Sequence, residues 1–158
     1  MRRALLALLL AVHAATPVHA LSCLRPDMVR SWQERGGTSV VLKGEVTFDA
    51  SAFQRSGIMG LQMPTDIDVP ARFRGRTFPG DTAVTLDITL RSVCYANWCG
   101  ALASGEVLLF AEVSDSGLHV PLDPCGTAAF SDPSEADLAR LSACVTGGAC
   151  ETAMPPRQ

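Results

Sequence analysis

The sequence predicts a mainly β domain, a small five-stranded barrel with a short helix at each end, braced by disulfides. Three observations carry the prediction. Segments of alternating apolar and polar residues recur between turn signals, helical spacing is confined to the two ends, and six cysteines occur in a chain whose opening residues read as an export signal.

The export signal comes first. Arg2-Arg3 is followed by an apolar run from Ala4 to Val12 and by Val18-His19-Ala20, which fits the small-x-small cleavage pattern apart from Val at its first position. Cleavage after Ala20 is the expectation, with the mature protein in the periplasm or secreted. The alternative is a lipoprotein. Ala20-Leu21-Ser22-Cys23 loosely resembles a bacterial lipobox, although Ala20 stands where Leu is usual and acylation of Cys23 would leave five cysteines, an odd number. The apolar run is shorter than the roughly 20 residues a membrane helix needs, and no later segment approaches that length, so no transmembrane segment is expected. Removing residues 1–20 leaves 138, the size of one domain with one core. That domain is placed at 21–150, as a monomer, with a disordered tail over 151–158.

The elements follow in order. Pro26-Asp27 opens a short helix whose Met28, Val29 and Trp32 share a face, and Gly36-Gly37 stops it. Ser39 to Phe48 puts Val40, Leu42, Gly44, Val46 and Phe48 on one side and Val41, Lys43, Glu45 and Thr47 on the other; it reads as a half-buried strand with a bulge or coiled bend at Gly44. Asp49 to Pro70 is the least regular stretch, though it carries Phe53, Ile58, Met59, Leu61 and Met63. Val69 to Phe78 and Ala83 to Tyr95 read as a hairpin across Pro79-Gly80-Asp81, and Gly105 to Val113 with Leu118 to Leu122 as a second. A short helix over Pro133 to Leu141 follows, with Ser131 or Asp132 as its N-cap. Five strands with a helix at each end suit the OB barrel topology, which removes most strand edges.

Composition narrows the function. With Arg2 and Arg3 gone, 11 cations oppose 16 anions, the reverse of a nucleic-acid-binding footprint. His119 is the only histidine beyond the signal, so a Ser-His-Asp or Cys-His site would have to use it, and its place beside Val120 reads as an ordinary strand position. No catalytic residue, cofactor or metal is assigned. Cys94, Cys99 and His119 offer zinc-ligand types, but an oxidising compartment favours a disulfide, and the Cys-x-x-Cys spacing at a helix start that would favour a redox pair is missing. Asp66 with Asp68, and Asp132 with Glu135 and Asp137, lack the dense ligand spacing of a calcium loop. Arg72, Arg74 and Arg76 alternate along one strand and therefore share a face, which fits either an acidic ligand or cross-strand pairing with Asp87 and its neighbours.

Several short stretches resemble the netrin-like modules, whose best-known members are the tissue inhibitors of metalloproteinases. They are Leu21-Ser22-Cys23 through Pro26, Leu42-Lys43-Gly44-Glu45-Val46, Cys99-Gly100, Gly105 to Ala111, Gly117-Leu118 and Cys125-Gly126-Thr127. The resemblance implies a disulfide-tied five-stranded OB barrel over nearly the whole mature chain. It also implies a Cys23 to Cys125 bridge. The family's first cysteine is Leu21 here, which leaves Cys99 to pair with Cys94, and Cys144 with Cys150. Metalloproteinase inhibition in that family works through the amine and carbonyl of its terminal Cys on the catalytic zinc. Leu21 keeps both groups but lacks the bridge. The resemblance further places Phe53, Ile58, Met59 and Leu61 in a loop that contacts the protease, against the simpler reading that they plug one barrel end. Tyr95 and Trp98, inside the Cys94 to Cys99 loop, are expected to be exposed aromatics on a rigid tip. The function expected is a non-catalytic exported binding module engaging a protein or an acidic ligand, with metalloprotease inhibition through the free N-terminus at Leu21 as the alternative.

Overall fold

The computed structural model describes residues 23, 26–36, 39–55, 66–95 and 98–153. The expected signal peptide, Leu21, and Ile58, Met59 and Leu61 lie outside them.

The chain runs α1 (Met28–Glu34), β1 (Val40–Phe48), α2 (Ser51–Arg55), β2 (Ile67–Thr77), β3 (Ala83–Ser92), β4 (Cys94–Tyr95), β5 (Trp98–Cys99), β6 (Gly105–Ser114), β7 (Gly117–Leu122), β8 (Ala129–Ser131) and α3 (Glu135–Val145). The long strands are hydrogen bonded in the order β1-β2-β3-β7-β6, and β6 pairs again with β1, which closes a five-stranded barrel. Only β3 and β7 run parallel; the other barrel pairs are antiparallel. This is the expected OB-like barrel with a short helix near each end.

Alternation builds the barrel wall. In β2, Val69, Ala71 and Phe73 are buried while Asp68, Pro70, Arg72, Arg74 and Arg76 face solvent. Directly paired residues share a face, so Leu42 meets Leu109 and Val46 meets Phe73 in the lumen. Gly44 lies opposite Gly75, and a Cβ on either would run into the other strand's backbone, so the glycines let β1 and β2 cross at unusually close range. The register passes through Gly44 unbroken on both sides. Of the two expectations for this residue, the bulge is therefore absent.

A second apolar layer covers the outer side of β1 at Val41 alone; Lys43, Glu45 and Thr47 on that side are not buried, as a half-buried strand requires. Val41 pairs with Phe110 and both are buried, although they face away from the lumen. Phe110 packs 5.9 Å from the ring of Trp32 on α1 and 5.6 Å from Phe130 on β8. For this reason β6 is buried at five consecutive positions, Val107 to Ala111. Strict alternation in sequence reports one covered face, whereas this strand has two.

Both end helices are capped by side chains. Asp27 accepts the Arg30 amide, and Gly36 ends α1 with φ +64°. Ser134 accepts the Asp137 amide, so the N-cap of α3 is Ser134 and not Ser131 or Asp132, and the helix runs to Val145, four residues past its expected end. Leu138, Leu141 and Cys144 form its buried face. Three further corrections are local. The expected strand Ala83 to Tyr95 ends at Ser92, with Cys94-Tyr95 reassigned to a separate ladder; the irregular stretch after Asp49 contains the one-turn helix α2; and β8 adds a short strand beside β6.

Three disulfides brace this frame: Cys23–Cys125, Cys94–Cys99 and Cys144–Cys150, the pairs implied by the resemblance. They indicate an oxidising, exported environment. No helix among the described residues is long and apolar enough to cross a membrane. Residues 151–153, expected to begin a disordered tail, are instead tied down: the Glu151 carbonyl accepts from Arg140, and the Ala153 amide donates to Asp27.

Candidate functional site

The Cys94–Cys99 segment is a two-stranded ladder in which Cys94 pairs with Cys99 and Tyr95 with Trp98. Residues directly opposite in an antiparallel pair have their Cβ atoms about 5 Å apart on the same face. The bridge therefore fixes the backbone beneath two neighbouring aromatic side chains. Those side chains are 57% and 52% exposed, while most large apolar residues of the barrel are buried.

The ladder is seated firmly on the barrel. The Val93 amide donates to the Leu122 carbonyl at the end of β7, and the Gly100 amide to the Val93 carbonyl. The buried Ser92 hydroxyl donates to the Gly100 carbonyl at 2.6 Å. Asp66 accepts the Cys94 amide at 2.9 Å. Beside it, Arg91 holds Asp68 in a two-pronged ion pair at 2.8 and 3.1 Å. The hydrogen bonds from Arg91 keep the Asp68 carboxyl below the usual carboxylate range, and the same contact raises Arg91. The Asp66 side chain thus works as a backbone anchor, a role that spacing alone did not reveal.

The arginine stripe has the predicted geometry: Arg72, Arg74 and Arg76 all point outward from β2. Two of the three charges are met by ion pairs. Arg72 pairs with Asp87 at 3.3 Å, Arg76 pairs with Asp81, and Arg74 stands opposite Glu45 in register. All these groups are well exposed, so each pair contributes little to stability. A groove of about 410 Å³, open to solvent, lies against Thr47, Pro70, Arg72, Asp87, Thr89 and Ser116. Its lining offers one guanidinium already matched by a carboxylate.

Phe53 is half-buried and packs edge-on to Phe48 with ring centres 5.3 Å apart, against the hydrophobic core. That position fits the barrel-plug reading for this residue. Leu21 lies outside the described residues, but Cys23, two positions later, is fixed to Cys125 just beyond β7. Asp123 shapes that junction by accepting the amides of Cys125 and Thr127. Gly100 packs against Leu122 and Asp123, so the aromatic ladder and the first disulfide converge on the same end of β7.

His119 sits half-buried in β7, and its Nε2 lies 2.9 Å from the Ser116 hydroxyl. The pair has the spacing of a nucleophile and its base, and Nδ1 is buried with no hydrogen-bond partner among the described residues. The contact is a turn interaction that also includes Ser114, whose hydroxyl lies 3.0 Å from that of Ser116. Among the described residues, no cluster of His, Cys, Asp and Glu has the arrangement of a metal site. Comparison with protein-family models, curated proteins and solved structures gives no match.

Proposed function

We propose that this chain is a non-catalytic exported binding module of netrin-like type that engages a protein partner through the Tyr95–Trp98 ladder. One observation carries the reading: two large aromatic side chains are held side by side in solvent on a backbone clamped by a disulfide. Exposing both costs apolar surface, and a rigid aromatic pair loses little conformational entropy on contact, which is why such residues dominate interface energetics. The acidic-ligand version has weaker support, because Asp87 and Asp81 already answer Arg72 and Arg76.

The test is site-specific photo-crosslinking in cells that make and export the chain. A photoreactive phenylalanine analogue is placed at Trp98 and, as a control, at Thr85 on the exposed face of β3. A discrete protein adduct from position 98 and none from 85 is the expected result. No adduct at 98, or equal adducts at both positions, overturns the reading.

Metalloprotease inhibition through Leu21 remains the second reading. It draws on the Cys23–Cys125 bridge, which holds the chain two residues after the expected mature start. It requires that mature protein beginning at Leu21 inhibit a zinc metalloprotease and that one added N-terminal residue abolish the effect. Inhibition unchanged by the extension, or none at all, removes it.

A further inference from the structure

We infer that the Tyr95–Trp98 ladder receives a cationic side chain, an arginine or lysine presented by the partner protein, with Asp66 as its counter-ion. The inference rests on the binding-module reading and gives its partner a chemistry. Aromatic faces are electrostatically negative, and two exposed rings on one face form a surface that favours a guanidinium or ammonium over an anion.

The charges around the ladder point the same way. Asp66 is exposed and uses one carboxylate oxygen to accept the Cys94 amide, in the residue immediately before Tyr95. Its other oxygen accepts nothing within the described residues. The nearby cation Arg91 donates its Nε and one terminal nitrogen to Asp68, and its charge also acts on Asp66. Among the described residues, these two carboxylates and one guanidinium leave an excess negative charge beside the ladder. A cation docking there would find a ring face and the Asp66 carboxylate together, whereas an acidic group would meet like charge. The Cys94–Cys99 bridge, the Asp66 anchor and the Gly100 seat hold the two ladder strands in place before anything docks.

The test is a titration of the mature, oxidised protein followed by the backbone amides and the Trp98 indole N–H in NMR spectra. The probes are a capped hexa-arginine peptide and a capped hexaglutamate peptide. Hexa-arginine is expected to shift the Trp98 indole and the Cys94 and Tyr95 amides saturably, and hexaglutamate to leave them in place. Asp66→Asn keeps an oxygen for the Cys94 amide while removing the charge, and should weaken hexa-arginine binding about three- to tenfold. Trp98→Leu should weaken it further, and 0.5 M salt should weaken wild-type binding. Unchanged amide dispersion outside the ladder confirms that each variant is folded. No saturable shift at millimolar peptide, equal response to both peptides, equal affinity in Asp66→Asn, or shifts centred on Glu45, Asp81 and Asp87 overturns the inference. If position 98 still crosslinks to a protein while hexa-arginine fails, the cation preference falls and the binding-module reading stands.

Discussion

Gly100 lies flush against the carbonyl of Leu122, so that a Cβ at position 100 would fall inside the backbone of β7. This contact joins the aromatic ladder to the barrel. The chain leaves β5 at Cys99, meets β7 with no side chain between them, and is held by hydrogen bonds through Val93 and Ser92.

Gly100→Ala should therefore act locally and globally. The methyl group forces β5 away from β7 and weakens the bonds that seat the ladder, at a cost of about 1–3 kcal/mol. Denaturant unfolding reads the loss, and faster hydrogen exchange at Val93 and Gly100 locates it. A wild-type unfolding midpoint would refute the seat.

Asp27 predicts a pH dependence. Its carboxylate, only 12% exposed, accepts the Arg30 amide at 2.9 Å, the Ala153 amide at 2.9 Å and the Arg140 guanidinium at 3.0 Å. Burial by itself would raise its pKa, but the two amides and Arg140 together hold it below the ordinary carboxylate value. A folded pKa below the unfolded one, which is about 3.9, makes the stabilisation complete above that value and lost as pH falls through the folded pKa. Asp27→Ala should cost about 1–2 kcal/mol at pH 7. The gap from wild type should narrow in unfolding curves at pH 3, and a constant gap would contradict the assignment.

Trp98→Ala and Phe73→Ala should separate a contact surface from a core. Phe73 is fully buried in the lumen, and its truncation should cost about 3–5 kcal/mol. Trp98→Ala should leave the unfolding midpoint within about 0.5 kcal/mol of wild type while abolishing partner crosslinking from a photoreactive group placed at Tyr95. A large stability loss at Trp98 would make that ring structural.

Arg72→Ala tests the stripe. Its pairing with Asp87 lies in solvent, so the change should move stability by less than about 0.5 kcal/mol. A larger loss, measured by thermal unfolding at low salt, would show the stripe to be structurally required.

The barrel was legible in the sequence wherever alternation was clean. Val69, Ala71 and Phe73 against Arg72, Arg74 and Arg76 place β2 correctly because only one face of that strand is covered. Val41 misled for the opposite reason: it looks like a member of the polar side, and only the arrival of Trp32 and Phe130 beside Phe110 makes that side apolar. Tyr95 and Trp98 could be singled out because a short Cys-to-Cys loop leaves large side chains nowhere to be buried. Asp66 stands out in the sequence only as a candidate calcium ligand beside Asp68, since its role as an anchor depends on meeting the Cys94 amide 28 residues away. The balance of the arginine stripe was hidden for the same reason: Arg72 finds Asp87 and Arg76 finds Asp81 only through strand register and a turn.

The Cys23–Cys125 bridge spans 102 positions, and every strand of the closed barrel, from Val40 to Leu122, lies between its two ends. The barrel is thus threaded on a covalent ring. A protease that cuts once anywhere within that ring opens the chain without releasing a fragment, so the nicked protein stays one covalent molecule, heavier only by the added water, until a reductant is added. In an oxidising, exported environment, where peptidases act, a first cut leaves both halves of the barrel tethered at high effective concentration, able to stay paired or to find each other again.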